Sequence, residues 1–246
     1  MSTDPNVQIV QRLLEKATGR STNRDGAFIA DGMAVVELAA LYDLALTAAP
    51  GSALEVGMAN GTSSVVICAA LSARGCGRLT SIDPFQGADY ANTGVLHVQR
   101  AGYASLHELI EEPNYLALPK LVAEGRRFGF IFIDGWHSFD YALLDIFYAD
   151  LLLADGGTLV LHDSDWAAVY KALKFLERHK PYERLSPAVA VGSNGLPGKL
   201  ARRLRVVLSG PRARTEARER RERWRSLSAY RKLRSEITPQ GVVARF

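Results

Sequence analysis

The feature that most restricts the fold of this chain is a series of apolar runs of strand length that alternate with stretches of helical length. The runs cover residues 53–56, 79–82, 128–133 and 158–161, and each ends at a glycine or an acid. Helical patterns lie between them, at 33–48, 64–73 and 139–153. Strand–helix–strand units at this spacing predict a doubly wound, mostly parallel α/β sheet with helices on both faces. Strands that are apolar almost throughout fit a sheet that is buried on both sides.

The remaining sequence predicts a central domain with two flanking parts. Residues 1–48 form an N-terminal helical cap, residues 49–210 the sheet domain, and residues 211–246 a basic helical C-terminal extension. The extension is predicted to be helical because residues 212–237 contain strong helix formers and no glycine or proline. Apolar residues recur there every three or four positions, which gives one apolar face, at Trp224, Leu227, Tyr230, Leu233 and Ile237. Residues 204–208 are predicted to form a further strand.

The net charge of +4 averages two unlike parts: residues 1–196 carry −7 and residues 197–246 carry +11. In one interpretation the basic helix packs on the acidic body or on a second subunit. In the second case a homo-oligomer forms through the terminal helices. The other interpretation is an arm that binds RNA or an anionic membrane, because basic clusters attract phosphates. Three interleaved acids, Glu216, Glu219 and Glu222, can pair with neighbouring arginines and favour the first interpretation.

Composition excludes several classes of protein. Two cysteines, Cys68 and Cys76, are too few for a disulfide framework or a four-cysteine metal site. The N-terminus has polar and acidic residues where a signal peptide has an apolar run. No stretch approaches the ~20 apolar residues of a membrane span. The sequence therefore predicts a cytoplasmic protein with no membrane span.

Ligands of open α/β sheets bind beyond the carboxyl ends of the strands, so the residues after each apolar run are the candidates for function. The first run leads into LEVGMANGTSS, which contains Glu55, Gly57 and Gly61. Glycines allow close approach of the backbone to a ligand, and the helix that follows favours an anionic group at its N-terminus. A carboxylate at Glu55 suits a ligand with an ammonium group and would repel a pyrophosphate. A tight turn that binds no ligand remains the alternative.

The second apolar run ends at Asp83, which lies 22 residues after Gly61. An acid at this place accepts hydrogen bonds from the two hydroxyls of a ribose. Together with the glycine loop, Asp83 favours a nucleoside ligand. An NAD-dependent enzyme is disfavoured, because Ala59 and Glu55 depart from the dinucleotide pattern G-x-G-x-x-G.

The third and fourth runs end in FIFIDGWHSFD and LVLHDSDW, which place acids and histidines at the same edge. If these strands are neighbours, Asp134 and Asp163 converge on one point, and paired carboxylates suit Mg²⁺ or Ca²⁺. The alternative is that Asp163 caps the next helix and binds no metal. A neutral imidazole accepts a proton near pH 7, so His137 and His162 are candidate general bases.

The segments LEVGMANGTSS, SIDPF and FIFIDGWHSFDYALLDIFYADLLLADGGTLVLHD resemble the motifs of class I S-adenosylmethionine-dependent methyltransferases. The nearest subgroup contains small O-methyltransferases similar to catechol and caffeoyl-CoA O-methyltransferases. The resemblance extends over about residues 30–180. It implies a Rossmann-like sheet and S-adenosyl-L-methionine as the cofactor.

The resemblance also implies roles for individual residues. Ser63 matches the position at which relatives bind the cofactor carboxylate. Asp83 matches the acid that binds the ribose, and Glu112 lies near the position that contacts the adenine. The implied cofactor-binding set is Glu55, Gly57, Met58, Ala59, Gly61, Ser63, Asp83, Glu112 and Asp134. Asp134 and Asp163 fall on the acids that hold Mg²⁺ or another divalent cation in metal-dependent relatives. Those relatives have Asn after the second acid, whereas this chain has Ser164, a poorer ligand.

The function predicted on this basis is O-methylation of a hydroxyl on a small molecule such as a sugar, a phenol or a natural-product scaffold. Methyl transfer is a direct displacement that needs an aligned nucleophile. His137, or else His162, would remove the hydroxyl proton, or a cation on Asp134 and Asp163 would polarise the oxygen. Two alternatives remain: an RNA methyltransferase that binds its substrate with the arginine-rich helix, and a non-catalytic nucleoside-binding protein with the same fold.

Overall fold

The computed structural model describes residues 4–19, 33–185 and 226–236. In these residues one mixed sheet contains seven strands, β1 (Ala53–Val56), β2 (Leu79–Ile82), β3 (His107–Ile110), β4 (Phe128–Ile133), β5 (Leu153–Leu161), β6 (Tyr182–Arg184) and β7 (Ser228–Lys232). Their order across the sheet is β3-β2-β1-β4-β5-β7-β6. The first five strands pair in parallel, and β7 is antiparallel to both of its neighbours. The predicted doubly wound sheet is therefore confirmed.

Helices cover both faces of the sheet. They are α1 (Pro5–Thr18), α2 (Val35–Thr47), α3 (Thr62–Arg74), α4 (Thr93–Ala101), α5 (Asn114–Ala123), α6 (Phe139–Leu152) and α7 (Ala167–His179), with a 3-10 turn at Ala104–Leu106. Phe130 and Phe132 of β4 pack with α1–α4, while the alternate residues Ile131 and Ile133 pack with α5–α7. Because of this two-sided burial, every residue of β1, β2 and β4 is buried, and most of these residues are apolar. Among the helices that the structure describes, none is long and apolar enough to span a membrane.

Two of the strands at the edges of the sheet were not predicted from the sequence. Strand β3 has the sequence HELI and is only partly buried, and β6 has three residues, so neither gives a continuous apolar run. Strand β5 also begins five residues before the predicted run, at Leu153, and passes through Gly156 with a φ of 77°. Edge strands and glycine-containing strand ends lack the pattern by which buried strands are recognised.

The predicted C-terminal helix is wrong for residues 228–232, which form strand β7. Leu227, Ala229 and Tyr230 are each 1% exposed, whereas Leu233, on the predicted apolar helical face, is 55% exposed. Pairing with strands on both sides, and burial of both faces of β7, outweigh the helical propensity of the sequence. The predicted boundary at residue 211 is therefore also wrong for this segment, which completes the sheet. The predicted strand at 204–208 and the positions 211–225 and 237–246 lie outside the described residues.

A buried lysine fixes β7 to the body of the protein. Lys232 is 2% exposed, and its Nζ donates hydrogen bonds to the carbonyl oxygens of Asp150, at 2.5 Å, and Leu153, at 3.1 Å. The Asp150 carboxylate lies 3.6 Å from the same Nζ and also contacts Lys180 and Tyr182. Each buried polar group here has a partner, which offsets the cost of removing the charges from water.

We expect Lys232→Met to lower the free energy of unfolding by about 2–4 kcal/mol, because two buried carbonyls lose their donor and Asp150 loses a cation. Arg231→Met is the matched control, since Arg231 is exposed on the same strand, and its effect should stay within about 0.5 kcal/mol. Urea unfolding of the two variants measures the difference. Equal effects would contradict the placement of β7 inside the sheet.

Candidate active site

The loop between β1 and α3, residues 57–61, lies at the carboxyl edge of the sheet and requires glycine at both ends. Gly57 has a φ of 87°, and a Cβ built on it would lie 2.1 Å from the carbonyl oxygen of Asp134. Gly61 has a φ of 72° and is the N-cap of α3. That helix has no side-chain cap and no acid in its first turn, so its first N–H groups are available to an anionic ligand.

The loop is fixed from beneath by a buried carboxylate. Glu55 is fully buried and accepts hydrogen bonds from the hydroxyls of Ser63, at 2.6 Å, Ser64, at 2.5 Å, and Ser81, at 2.6 Å. Burial raises the pKa of Glu55 to about 7, although the three hydroxyls oppose this shift. Because both carboxylate oxygens are engaged, Glu55 ties β1 to α3 and β2. The predicted contact of Glu55 with a cofactor amine stays a prediction.

Asp83 lies against the glycine loop, as its position after β2 predicts. Its Oδ2 accepts hydrogen bonds from the backbone N–H groups of Met58, at 3.0 Å, and Ala59, at 2.7 Å. Gln86, which the sequence analysis did not single out, donates to the carbonyl oxygen of Ala59 at 2.7 Å and to the same carboxylate at 3.2 Å. Ala59 has a φ of 45°, a left-handed conformation that is unfavourable for alanine. Asp83 and Gln86 therefore hold both sides of the strained residue.

Glu112, predicted to lie near an adenine, projects to the surface beyond β3. Its carboxylate forms an ion pair with Lys120 at 2.6 Å, and its side chain is 40% exposed. The preceding residue, Glu111, contacts the segment that follows Asp83, since its Oε1 accepts a hydrogen bond from the N–H of Gly87 at 2.6 Å. The role of Glu112 in cofactor binding stays a prediction.

Adjacent strands bring together the acids and histidines that follow β4 and β5. Ile133 pairs with Leu161, so the residues just beyond these positions face one another. The Nδ1 of His162 lies 3.2 Å from Oδ1 of Asp134 and 3.4 Å from Oδ2 of Asp163. The Nε2 of His137 lies 2.9 Å from Oδ2 of Asp163 and 3.6 Å from Oδ1 of Asp134. All four residues predicted at this edge thus form one cluster.

Glu37 joins this cluster from α2 and was missed by the sequence analysis. It is 9% exposed, and its Oε1 lies 3.6 Å from Nε2 of His162. The hydroxyl of Ser226 donates to Oε1 of Glu37, and the N–H of Ala34 donates to Oε2 at 2.7 Å. Burial alone would raise the pKa of Glu37, yet the interactions with His162, Ser226 and Ala34 lower it. The only sequence signal was a single acid within an otherwise apolar helical stretch.

The carboxylates and imidazoles of the cluster compensate each other electrostatically. Asp134 and Asp163 raise the pKa of His137 to about 9. Burial opposes protonation of His162, but Asp134, Asp163 and Glu37 still hold its pKa well above the ordinary value. Burial likewise opposes ionisation of Asp163, yet the two histidines lower its pKa. The carboxylates therefore favour the protonated form of both imidazoles, and the imidazoles in turn favour the ionised form of the carboxylates.

The same side chains are a suitable ligand set for a divalent cation. One oxygen or nitrogen atom from each of Asp134, His162 and Asp163 lies within 4.8 Å of the others. The Nε2 atoms of both histidines are buried and form no hydrogen bond of good geometry with the described residues. Ser164 does not contribute, because its hydroxyl donates to the carbonyl oxygen of Ser226 at 3.1 Å. The donor set fits a cation through these three residues.

Two exposed tryptophans flank the cluster. Trp136 follows β4 and is 66% exposed, and Trp166, at the start of α7, is 54% exposed. The rings of His137 and Trp166 lie 5.0 Å apart between centroids. Indole rings that remain exposed beside charged groups offer an apolar surface to a ligand.

The sequence pattern of the family described as "Methyltransferase domain" matches residues 54–164, which span the glycine loop and the acid–histidine cluster. No curated protein matches the chain closely enough in sequence to count as a relative.

Solved structures show the same fold at low sequence identity. One is the O-methyltransferase TomG from Streptomyces achromogenes, involved in tomaymycin synthesis and in complex with SAM. Its TM-score is 0.57 at 19% identity, over 77% of this chain and 85% of TomG. Another is the O-methyltransferase from Bacillus cereus in complex with SAH, with a TM-score of 0.56 at 12% identity, over 94% of this chain and 93% of that one.

The matched family pattern covers the motifs on which the resemblance rests, and the solved structures share the sheet that carries them. Residues 54–164 thus carry the sequence pattern of a methyltransferase domain, and the chain shares the fold of solved O-methyltransferases.

Proposed function

We propose that the chain transfers the methyl group of S-adenosyl-L-methionine to a hydroxyl group of a small molecule. The observation that carries the proposal is the direct contact between the two halves of the site. The glycine loop packs so closely on the backbone of Asp134 that Gly57 has no room for a Cβ. A cofactor on that loop would therefore present its reacting end to the cluster of Asp134, His137, His162 and Asp163.

Different residues of the site would contact different parts of the cofactor. The loop from Gly57 through Met58 and Ala59 to Gly61 would lie against the methionyl part, and Ser63 would bind its carboxylate at the start of α3. Asp83 would accept the ribose hydroxyls. The solved complexes of TomG with SAM and of the Bacillus cereus enzyme with SAH support this cofactor for the shared fold.

His137 is the residue best placed to accept the hydroxyl proton of the acceptor. Its side chain is 31% exposed, whereas that of His162 is 9% exposed. The carboxylates of Asp134 and Asp163 favour its protonated form, so His137 becomes a base only when their charge is compensated. A divalent cation held by Asp134 and Asp163 would supply that compensation and would polarise the acceptor oxygen.

The acceptor class is inferred from the surroundings of His137. Trp136 and Trp166 would pack against a ring of the acceptor, and phenols, sugars and natural-product scaffolds all present such faces. Positioning of the hydroxyl by these side chains matters because the displacement requires the oxygen about 3–3.5 Å from the methyl carbon.

We expect Ser63→Ala to weaken S-adenosyl-L-methionine binding about tenfold, because the Ser63 hydroxyl would turn its single proton from Glu55 to the cofactor carboxylate on binding, and alanine lacks that donor. Ser64→Ala is the matched control, since both hydroxyls donate to Glu55 but Ser64 is fully buried and has no proposed cofactor contact. Calorimetric titration of both variants and of the unaltered chain measures the affinities. Absence of binding by the unaltered chain would overturn the cofactor assignment, and equal losses in the two variants would overturn the role of Ser63.

We expect His137→Ala to lower kcat at least ~100-fold while changing the affinity for S-adenosyl-L-methionine less than about threefold, since proton removal is lost and the cofactor contacts remain. His179→Ala, on the helix that follows the site, is the control and should keep the native kcat. Release of S-adenosylhomocysteine, measured with the best acceptor from a panel of phenols and sugars, provides the rates. Native turnover in the His137 variant would exclude it as the base.

A further inference from the structure

We infer that His162 is the third protein ligand of the cation site, that Glu37 positions it, and that the site binds a first-row transition-metal dication in preference to Mg²⁺. The inference rests on the proposed assignment of Asp134 and Asp163 as cation ligands. It adds a nitrogen ligand, a residue behind that ligand, and the chemical class of the ion.

The orientation of the imidazole identifies its ligating atom. Nδ1 of His162 is the nitrogen that faces the two carboxylates, at 3.2 Å from Asp134 and 3.4 Å from Asp163. The backbone fixes the position of the residue, because the N–H of His162 donates to the carbonyl oxygen of Ile133 at 3.0 Å. Asp163, the next residue, has a left-handed backbone with a φ of 48°. Because Nδ1 is the ring nitrogen of His162 that faces both carboxylates, we assign it as the third donor atom.

Glu37 faces the other nitrogen of the same ring. Its Oε1 lies 3.6 Å from Nε2 of His162, and within the described part of the chain that buried Nε2 has no hydrogen bond of good geometry. Glu37 is itself held by Ser226 and by the N–H of Ala34. A carboxylate behind a ligating histidine keeps the proton on the distal nitrogen and fixes the plane of the ring. Glu37 is a positioning residue, since it acts on the ion through His162.

The composition of the ligand set selects the ion. Carboxylate and other oxygen ligands suit Mg²⁺, whereas imidazole favours later first-row metals, whose affinity for such sites rises from Mn²⁺ through Co²⁺. The residue after Asp163 supplies no further oxygen, because the Ser164 hydroxyl is directed to the carbonyl of Ser226. Two carboxylates and one imidazole therefore distinguish this site from one built of oxygen alone.

The test measures metal binding alone, without cofactor or acceptor. Calorimetric titrations with Co²⁺ and with Mg²⁺ should give the unaltered chain a Kd for Co²⁺ at least ~100-fold below that for Mg²⁺. His162→Asn should weaken Co²⁺ binding at least about tenfold, change the visible absorption of the bound Co²⁺, and leave the Kd for Mg²⁺ within about threefold. His179→Asn is the matched control for adventitious binding to a histidine and should behave as the unaltered chain.

The Glu37→Gln variant tests the positioning role of Glu37 and leaves all three proposed ligands in place. We expect Co²⁺ affinity to fall about 10- to 100-fold with a smaller effect on Mg²⁺, because the imidazole loses its fixed orientation. A purely structural effect of Glu37 would weaken both ions equally, and that result would overturn its positioning role.

The metal inference fails if the unaltered chain binds neither ion, binds Mg²⁺ as tightly as Co²⁺, or keeps its Co²⁺-to-Mg²⁺ ratio after His162→Asn. S-adenosyl-L-methionine binding by the metal-free protein separates this failure from failure of the proposed function. Cofactor binding without metal binding would overturn the inference alone. Metal binding without any cofactor binding, with or without the ion, would overturn the proposed function alone.

Discussion

The candidate site depends on the two parallel pairings of β4, one with β1 and one with β5. The N–H of Asp134 donates to the carbonyl oxygen of Val56 at 2.8 Å, and the N–H of His162 donates to that of Ile133 at 3.0 Å. These two hydrogen bonds continue the ladder one residue beyond each strand. They place Asp134 against the glycine loop on one side and against His162 and Asp163 on the other. The glycine loop and the charged cluster consequently both contact Asp134, and a change in either strand register would separate them.

Charge balance is the second constraint on this edge. Three buried or half-buried carboxylates, Glu37, Asp134 and Asp163, surround the two imidazoles. Two of them, Asp134 and Asp163, raise the pKa of His137 to about 9. A cluster with more carboxylates than imidazoles attracts further positive charge. S-adenosyl-L-methionine, which carries a sulfonium and an amine, and a divalent cation both bring that charge to the proposed site. The ligands proposed for this edge thus carry the charge opposite to the excess of carboxylates in the described cluster.

The sequence predicted the parts of the fold that are buried on both faces. The runs of β1, β2 and β4 match the observed strands, because a strand buried on both faces of a parallel sheet has mostly apolar residues. The buried polar exceptions, Glu55, Thr80 and Ser81, all form hydrogen bonds. The same pattern located Asp83, Asp134 and Asp163, since each follows such a run. Strand β7 was mistaken for a helix because its sequence, SAYRK, has no strand periodicity, and Lys232 is buried only through partners that lie about 80 positions away in the chain.

The residues that sequence reasoning missed act through tertiary contacts of the same kind. Glu37 accepts a hydrogen bond from Ser226, which lies 189 positions away in the chain, so no local spacing in the sequence indicates that contact. Gln86 holds Ala59 through its side chain from a different loop. These residues position others, so they carry no motif of their own. The residues that were predicted correctly at the edge of the sheet are those whose position depends only on where a strand ends.

The most direct test of the account is a crystal structure of the chain with bound S-adenosylhomocysteine. We expect the nucleoside to lie across residues 57–61, with its ribose hydroxyls at Asp83 and its sulfur directed toward Asp134 and His137. Density for the ligand at any other surface, with the glycine loop empty, would contradict it.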